Sequence, residues 1–543
     1  MARSPSLVKS LTQRFARTLP AEWHARLETY VPYAFLALTV LVAYANIYDN
    51  AFLYDDETLI LHNQFLRHWD SVPLLFQTQV MAGGNVTSIY YRPLQSLLYL
   101  ITFQIAGLSL FAFHFLNVAL HTANACLTYR LGQKLGFKSG AVFLASLLWA
   151  VHPLHTEAVT YMSAMADALH VLFILLGVIV LLPDFSPRRI WIAAGLMMLG
   201  LLSKESAVTF PLLAASCLYL VSKKRLQFKT YFCLWPLAVM GGIYVVLRLL
   251  LPFETAEPSD ITPMSQGNYA SFAALPVYLR LLLWPAELRF GYELPLYNQI
   301  WHPAVLAGLG LIIAAALQVV RRQTPHSLPL SWGILWFVAA HLLTFGIDTL
   351  LYEHWMYLPS LGLLLGLAQT SNLQIETLKA PLKRQVYHCT IAAVLCATAL
   401  LGILTWKQNR IWHDPIAFYE NIFRYGGSAA KARVNLGTLY TKRGEYTKAV
   451  EQYRLAIANS NDTISMAHNN LAQTLLAMDS RKNAAEALRH LQRALALDPK
   501  SVMALNNLAD FYAKRGDAKK ARHYRNRADA ARQAFKTPPQ ETR

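Results

Sequence analysis

Charge is what this sequence has least of. Only 15% of its 543 residues are Asp, Glu, Lys or Arg, while 55% are hydrophobic. A soluble domain carries roughly 25% charged residues, so a single water-soluble globule is excluded. Cysteine is scarce too. The five present (Cys126, Cys217, Cys233, Cys389, Cys396) all sit in apolar stretches with no CxxC pair, which excludes a disulfide framework and a thiolate metal site. The basic N-terminus (Arg3, Lys9, Arg14, Arg17) lacks a short apolar core followed by a small-residue cleavage site. The first apolar run, 31–47, is long enough to stay as an anchor, so no cleaved signal is expected.

The little charge there is falls unevenly. Residues 31–406 hold long stretches with almost none, whereas 411–543 read as an ordinary soluble helical protein, so two modules are expected. The net charge of +18 does not point to nucleic acid, because many of the cations lie in short loops between apolar runs, as the positive-inside rule requires. Apolar runs at 31–48, 93–108, 112–129, 141–151, 168–182, 190–202, 207–221, 231–251, 305–320, 330–345, 356–368 and 387–405 give about eleven spans.

Five basic clusters order these spans: Arg130/Lys134/Lys138, Arg188/Arg189, Lys223/Lys224/Arg225, Arg321/Arg322 and Lys379/Lys383/Arg384. Placing all five in the cytoplasm puts Asp55, Asp56, His152, His155, Glu157, Lys204, Glu205, Tyr352, Glu353 and the tail after Trp406 on the opposite face. That requires 93–129 to cross once, one of its two runs being re-entrant or interfacial; 269–284 is similarly ambiguous. The domains expected are a cytoplasmic basic N-terminus (1–30), a transmembrane domain (31–410) with non-cytoplasmic loops 49–92 and 252–300, and a soluble domain (411–543).

The tail repeats itself. Asn435-Leu436-Gly437, Asn470-Leu471-Ala472 and Asn507-Leu508-Ala509 recur at intervals of 35 and 37, each followed by a large residue (Tyr440, Leu475, Tyr512), a turn and a small Ala449, Ala487 or Ala521. Small residues let two helices approach, and stacking buries what one pair cannot. The pattern resembles the tetratricopeptide repeat, in copies at about 430–463, 464–500 and 501–534. Asn435, Asn470 and Asn507 occupy equivalent positions. Such an Asn ladder either bonds an acceptor peptide's backbone or bonds within its own helix pair.

Several polar groups could carry chemistry in the membrane module. Tyr54-Asp55-Asp56-Glu57 sets three acids in a row after the first span, where mutual repulsion raises at least one pKa. One could act as a general base; a solvated helix cap is the plainer alternative. Arg92, before Pro93, offers a planar fork of donors that suits phosphate, or an interfacial anchor. His114, Asn117, His121 and Asn124 share a helical face, as packing residues or the lining of a polar cavity. His152, His155 and Glu157, with Asp167 further on, could ligate a divalent metal, but HxxHxE is not a metalloprotease spacing. Bonding to a phosphate, or a capped helix start, fits better. Lys204-Glu205 interrupts two apolar segments, so the pair is at the surface or paired in a cavity. Tyr352, Glu353 and His354 open a later run.

Taken in order, YDDE, YYRPL, HPLHTEAV with a following AD, LLSKES, WPAEL and YEHWMYLPS resemble the transmembrane and tetratricopeptide-repeat containing family. Those proteins are O-mannosyltransferases of the GT-C glycosyltransferase class. The resemblance runs from about Asp55 to the end. It implies an all-α, polytopic GT-C membrane bundle with a C-terminal α-solenoid. It also implies transfer of a sugar, mannose or similar, from a polyprenyl-phosphate donor to a hydroxyl of a protein or other acceptor. Asp56 or Asp55 would then be the base, with Asp56 preferred because Asp56-Glu57 resembles the Asp-Glu pair of related enzymes. Arg92, His155, Lys204 and His354 would contact the donor phosphate, supported by Glu57, His152, Glu157, Asp167, Glu205, Tyr352 and Glu353. His354 stands where Arg is usual in the family.

No metal is required in this reading, since the leaving phosphate is already anionic; His152, His155 and Glu157 are the alternative ligand set. The expected partners are the lipid-linked sugar, membrane lipid and an acceptor on the repeats, without nucleic acid. The expected site is a bacterial inner membrane facing the periplasm, or else an endoplasmic reticulum membrane facing the lumen. The competing readings are a non-catalytic scaffold and a lipid-phosphate transporter.

Overall fold

The computed structural model describes residues 21–84, 86, 88–222, 231–251, 269–295, 297–321, 324–342, 350–425 and 430–536. The start of the basic N-terminus, the 223–225 cluster, Arg322 and residues 252–268 of the expected second loop lie outside the described residues. The chain divides after His413 into two compact units.

The first unit is built of helices. Its one strand pairing among the described residues is a two-residue antiparallel contact of Tyr292–Glu293 with Leu350–Leu351. Proline opens several helices, at Pro93, Pro187 and Pro303, where its missing N–H costs nothing and its fixed φ suits the first turn. Gly107, at φ +59°, closes Pro93–Ala106, a conformation that favours glycine.

Among the described residues, five helical segments are long and apolar enough to cross a bilayer: Leu110–Lys134, Met162–Leu181, Phe232–Leu250, Pro303–Val320 and Ala380–Trp412. Ser139–Ala150 with Pro153–Thr160 makes a sixth if that pair, bent by 54°, is one span. Thr29–Ala43, Pro93–Ala106, Glu205–Val221, Ala270–Leu283 and Leu328–His341 are apolar but shorter. The unit is that of a multi-pass membrane protein. Five or six of the described segments therefore reach full bilayer length, and the other apolar runs of the expected eleven form shorter helices or lie partly outside the described residues. Pro93–Ala106, at 14 residues, reaches about 21 Å against a hydrocarbon core of about 30 Å. Exposed Ile243, Val245, Val246, Leu249 and Leu250 on one helix, and Leu395, Leu400 and Ile403 on another, are surfaces that only lipid or a partner can cover.

Helix Leu110–Lys134 explains how the bent pair is tolerated. Pro153 cannot continue a helix and restricts His152 before it, so the chain runs through short helical turns between Ala150 and Met165. The polar face of Leu110–Lys134 bonds main-chain carbonyls of this stretch and of the helix after it. Asn117 Nδ2 donates to the carbonyls of Val159 (3.2 Å) and Tyr161 (3.1 Å), and Asn124 Nδ2 to Ala168 O (2.8 Å). His121 Nε2 bonds Ala150 O (2.9 Å), and its Nδ1 bonds the Tyr357 hydroxyl (2.7 Å). His114 Nε2 reaches Asn50 O (3.1 Å). In lipid an unsatisfied peptide group costs several kcal/mol. These side chains are the packing residues of the two readings open for them, and they hold an interrupted backbone.

The second unit is a stack of helix pairs: Ala430–Lys442 with Tyr446–Asn459, Ser465–Met478 with Ala484–Leu497, and Val502–Ala513 with Ala518–Lys536. Pro415–Arg424 precedes them. Ala449, Ala456, Ala472, Ala487 and Ala494 are fully buried where the helices cross. A Cβ on Gly437 would sit 2.7 Å from the Tyr453 ring, so that close approach requires glycine.

Candidate active site

The three consecutive acids go to three different environments. Tyr54 takes φ +53°, a strained conformation for a bulky residue, and the turn sends Asp56 inward, leaving Asp55 half-buried and Glu57 exposed. Asp56 is 1% exposed. Its Oδ2 accepts from Leu53 N (3.0 Å), and its Oδ1 accepts from Ser163 N (2.7 Å) and from the Ser163 hydroxyl. Burial outweighs these donors and pushes the carboxyl up to about 7, with the Asp55 charge adding in the same direction. The Asp55 N–H donates to the Tyr161 hydroxyl (3.0 Å).

Ser163 is itself held from behind. Gln95 Nε2 donates to Ser163 O (2.7 Å) and the Tyr99 hydroxyl to Met162 O (2.7 Å). These four residues (Gln95, Tyr99, Tyr161, Ser163) carry no signal in the sequence. Only Asp56 stands out there, and its partner is 107 positions away.

The cations expected at the donor phosphate are each engaged by an acid. Arg92 Nε pairs with Glu205 Oε2 (3.1 Å), and Glu205 Oε1 accepts from Tyr91 N (3.0 Å). Lys204 Nζ lies 2.6 Å from Asp167 Oδ1, both nearly buried. Lys204 and Glu205 are neighbours in the chain yet pair with different partners. His354 Nδ1 lies 2.7 Å from Glu157 Oε1, and Glu157 Oε2 accepts from the N–H groups of Glu353 (2.7 Å) and His354 (3.2 Å). Asp167 feels the charges of both Lys204 and His354, so the two pairs share one electrostatic neighbourhood.

Glu353 accepts from Arg289 N (2.7 Å) and the Tyr292 hydroxyl (2.6 Å). Burial first, and the Glu157 carboxylate second, push it well above the ordinary carboxylate range. Tyr352 lies against the rings of His354 (5.2 Å) and Phe290 (5.4 Å). Phe290 also meets Tyr54 (5.2 Å) and Tyr161 (5.7 Å), so one aromatic chain leads from His354 to the acid loop.

A tetratricopeptide repeat profile matches residues 430–463 and a second matches 490–523. A protein O-mannosyl-transferase of Caenorhabditis elegans is 24% identical over 441 residues, covering 77% of this chain and 61% of that protein. The human protein O-mannosyl-transferase TMTC3 is 24% identical over 495 residues, covering 82% of this chain and 53% of its own. Over most of its length the chain is similar to these protein O-mannosyl-transferases, and its tail carries tetratricopeptide repeats. It spans less than two thirds of either relative's length. The crystal structure of ArnT from Cupriavidus metallidurans bound to undecaprenyl phosphate aligns over 81% of this chain and 77% of its own, at 14% identity and a TM-score of 0.40. A likeness that loose carries no argument.

His155 is fully buried, its ring 4.9 Å from Trp149 and 5.1 Å from Tyr357, with neither nitrogen hydrogen-bonded within the chain. The alternative metal set is not assembled. His152 Nε2 bonds Leu282 O (2.9 Å), its Nδ1 caps Leu154 N (3.2 Å), and Glu157 faces His354. Among the described residues no three His, Cys, Asp or Glu side chains are grouped to hold a metal.

In the tail, the amides of the Asn ladder bond back to an earlier helix, outside their own pair. Asn435 Nδ2 donates to the Tyr419 hydroxyl (3.1 Å), Asn470 Nδ2 to Thr438 Oγ1 (3.2 Å) and Asn507 Nδ2 to Asn469 Oδ1 (2.8 Å).

Proposed function

We propose that the chain is a membrane glycosyltransferase of the GT-C class, moving mannose or a similar sugar from a polyprenyl-phosphate donor to a hydroxyl of a protein acceptor. The observation that carries the reading is Asp56, a buried carboxyl pushed up to about 7, the range in which a general base works best at neutral pH. The names of the 24%-identical relatives support it. Asp56, with Asp55 beside it, takes the proton of the acceptor hydroxyl. The oxygen attacks the anomeric carbon in line, the bond from that carbon to the phosphate oxygen breaks, and polyprenyl phosphate leaves with the electron pair.

Arg92, Lys204 and His354 surround the leaving phosphate and stabilise charge developing there. Because that leaving group is anionic from the outset, the step needs no metal, and chelators are expected to leave the rate unchanged. The repeats recruit the acceptor, raising its effective concentration. With the basic clusters cytoplasmic, as the positive-inside rule favours, the reaction lies on the opposite face, periplasmic in a bacterial inner membrane or lumenal in an endoplasmic reticulum membrane.

The test is transfer from a defined polyprenyl-phosphate mannose to a Ser/Thr peptide by the purified full chain. Asp56→Asn is expected to lower kcat at least about 100-fold, and Asp55→Asn less. Wild-type kcat in both variants would remove the base assignment. No transfer by any form, with partners still captured on the repeats, would identify a scaffold instead. Since the base must be unprotonated, kcat is expected to fall as pH drops below about 7.

A further inference from the structure

We propose that Asn409 is a positioning residue for the reaction, setting the geometry of Asp56 from the C-terminal end of helix Ala380–Asn409; this rests on the transferase reading above. Asn409 is fully buried, and both ends of its carboxamide are engaged. Nδ2 donates to Ala43 O (3.1 Å) and Asn46 Oδ1 (2.9 Å), while Oδ1 accepts from the Thr160 hydroxyl (2.9 Å). Its main-chain carbonyl accepts from Asn50 Nδ2 (3.2 Å).

These partners fall into two groups. Ala43, Asn46 and Asn50 begin the segment that ends at Asp56. Thr160 begins the segment that ends at Ser163, the donor of two bonds to the Asp56 carboxylate. One side chain therefore references both walls of the acid site to a common point, although the two segments lie more than a hundred residues apart.

Trp412, three residues on, repeats the arrangement. Its ring stacks on Tyr161 (5.4 Å, 28°), and the Tyr161 hydroxyl accepts from Asp55 N. A carboxamide is suited to the position, because it offers two N–H donors at one end and an acceptor at the other. A carboxylate would set an acceptor against Ala43 O and Asn46 Oδ1.

Loosening this joint admits water to Asp56, and a solvated carboxyl returns toward its ordinary range. The titratable groups facing it are Asp55, Tyr99 and Tyr161, none of which the substitutions below alter. Full-length Asn409→Ala and Thr160→Val are compared with wild type in nanodiscs. The expected result is a fall in kcat of at least tenfold with donor KM unchanged. The acidic limb of the pH–kcat profile moves below pH 7, and Thr160→Ser, which keeps the hydroxyl, behaves as wild type.

The infrared carboxyl band that Asp56→Asn abolishes reports the same titration without any activity, and is expected to shift to lower pH in Asn409→Ala. A pH–kcat profile and infrared titration both unmoved in Asn409→Ala and Thr160→Val would overturn the proposal. Should Asn409→Ala fail to fold, Thr160→Val carries the test alone. Should wild type transfer no sugar, the transferase reading falls, and the infrared titration still decides whether Asn409 positions Asp56.

Discussion

The membrane unit and the repeat unit use asparagine in opposite ways. In the tail, Asn435, Asn470 and Asn507 recur at intervals of 35 and 37 and each does the same job, bonding a helix earlier in the stack. In the membrane unit Asn117 and Asn124 hold main-chain carbonyls of a bent segment while Asn409 joins two segments, and each reaches a partner far away in sequence. A solenoid is quasi-one-dimensional, so its contacts are between neighbours and its pattern is periodic. A bundle with interrupted helices must find a partner for every freed backbone group, and those partners follow no period. Polar residues are therefore repetitive connectors in one unit and individual solutions in the other.

The comparison breaks most readily in the membrane unit. Lys204→Met leaves the Asp167 carboxylate buried without its partner, and removing one member of such a pair costs about 3–5 kcal/mol. Lys204→Met with Asp167→Leu is expected to recover part of that stability, read from thermal unfolding in detergent. Full stability in the single variant would mean that the pair is replaceable by solvent. Gly437→Ala in the tail pushes a methyl into the Tyr453 ring and is expected to cost about 1–3 kcal/mol. Proteolytic susceptibility of the tail in the full chain should rise while the membrane unit is unaffected; equal protection would show that the helix pair has room to spare.

The smallest effect is a pH dependence confined to the tail. His468 bonds Asp462 (2.7 Å) through Nε2 and His490 (2.9 Å) through Nδ1. Burial lowers both histidines, and for His490 the charge of His468 adds to it. A lowered folded-state value means that the unfolded chain binds protons first as the pH falls. Their contribution is complete above the ordinary histidine value of about 6.5 and declines below it, toward the lowered folded-state range. Hydrogen exchange across Ser465–Leu497 at pH 7.5 and pH 5.5 should show lower protection at the acid end. Equal protection would mean that the pair accepts a proton without strain.

Legibility divides along the same line. The repeats could be read because identical contacts recur at a spacing the chain displays. The acids Asp55 and Asp56, and the cations Arg92, Lys204 and His354, could be named because charge is costly in an apolar setting and so conspicuous there. Their pairing could not be read. Lys204 and Glu205 sit side by side and look like one ion pair, yet each turns to a partner on another segment. The polar motif around His155 does not show that its ring is enclosed by Trp149 and Tyr357. The apolar runs marked where the chain avoids water but not which of them span, because 10 to 17 apolar residues suit a short or interfacial helix as well as part of a crossing.

By itself the sequence determined that this is a membrane protein with a helical-repeat tail, and which residue types are available for chemistry. Composition and period carry that information locally. Only the tertiary structure decided that Asp56, of three adjacent acids, is the buried one, that Ser163 holds it, and that Asn409 ties the two supporting segments together. A carboxyl's environment is set by whatever packs around it. Here the donors come from positions 53 and 163, and the residue that joins their segments from position 409, a distance along the chain that no local pattern spans.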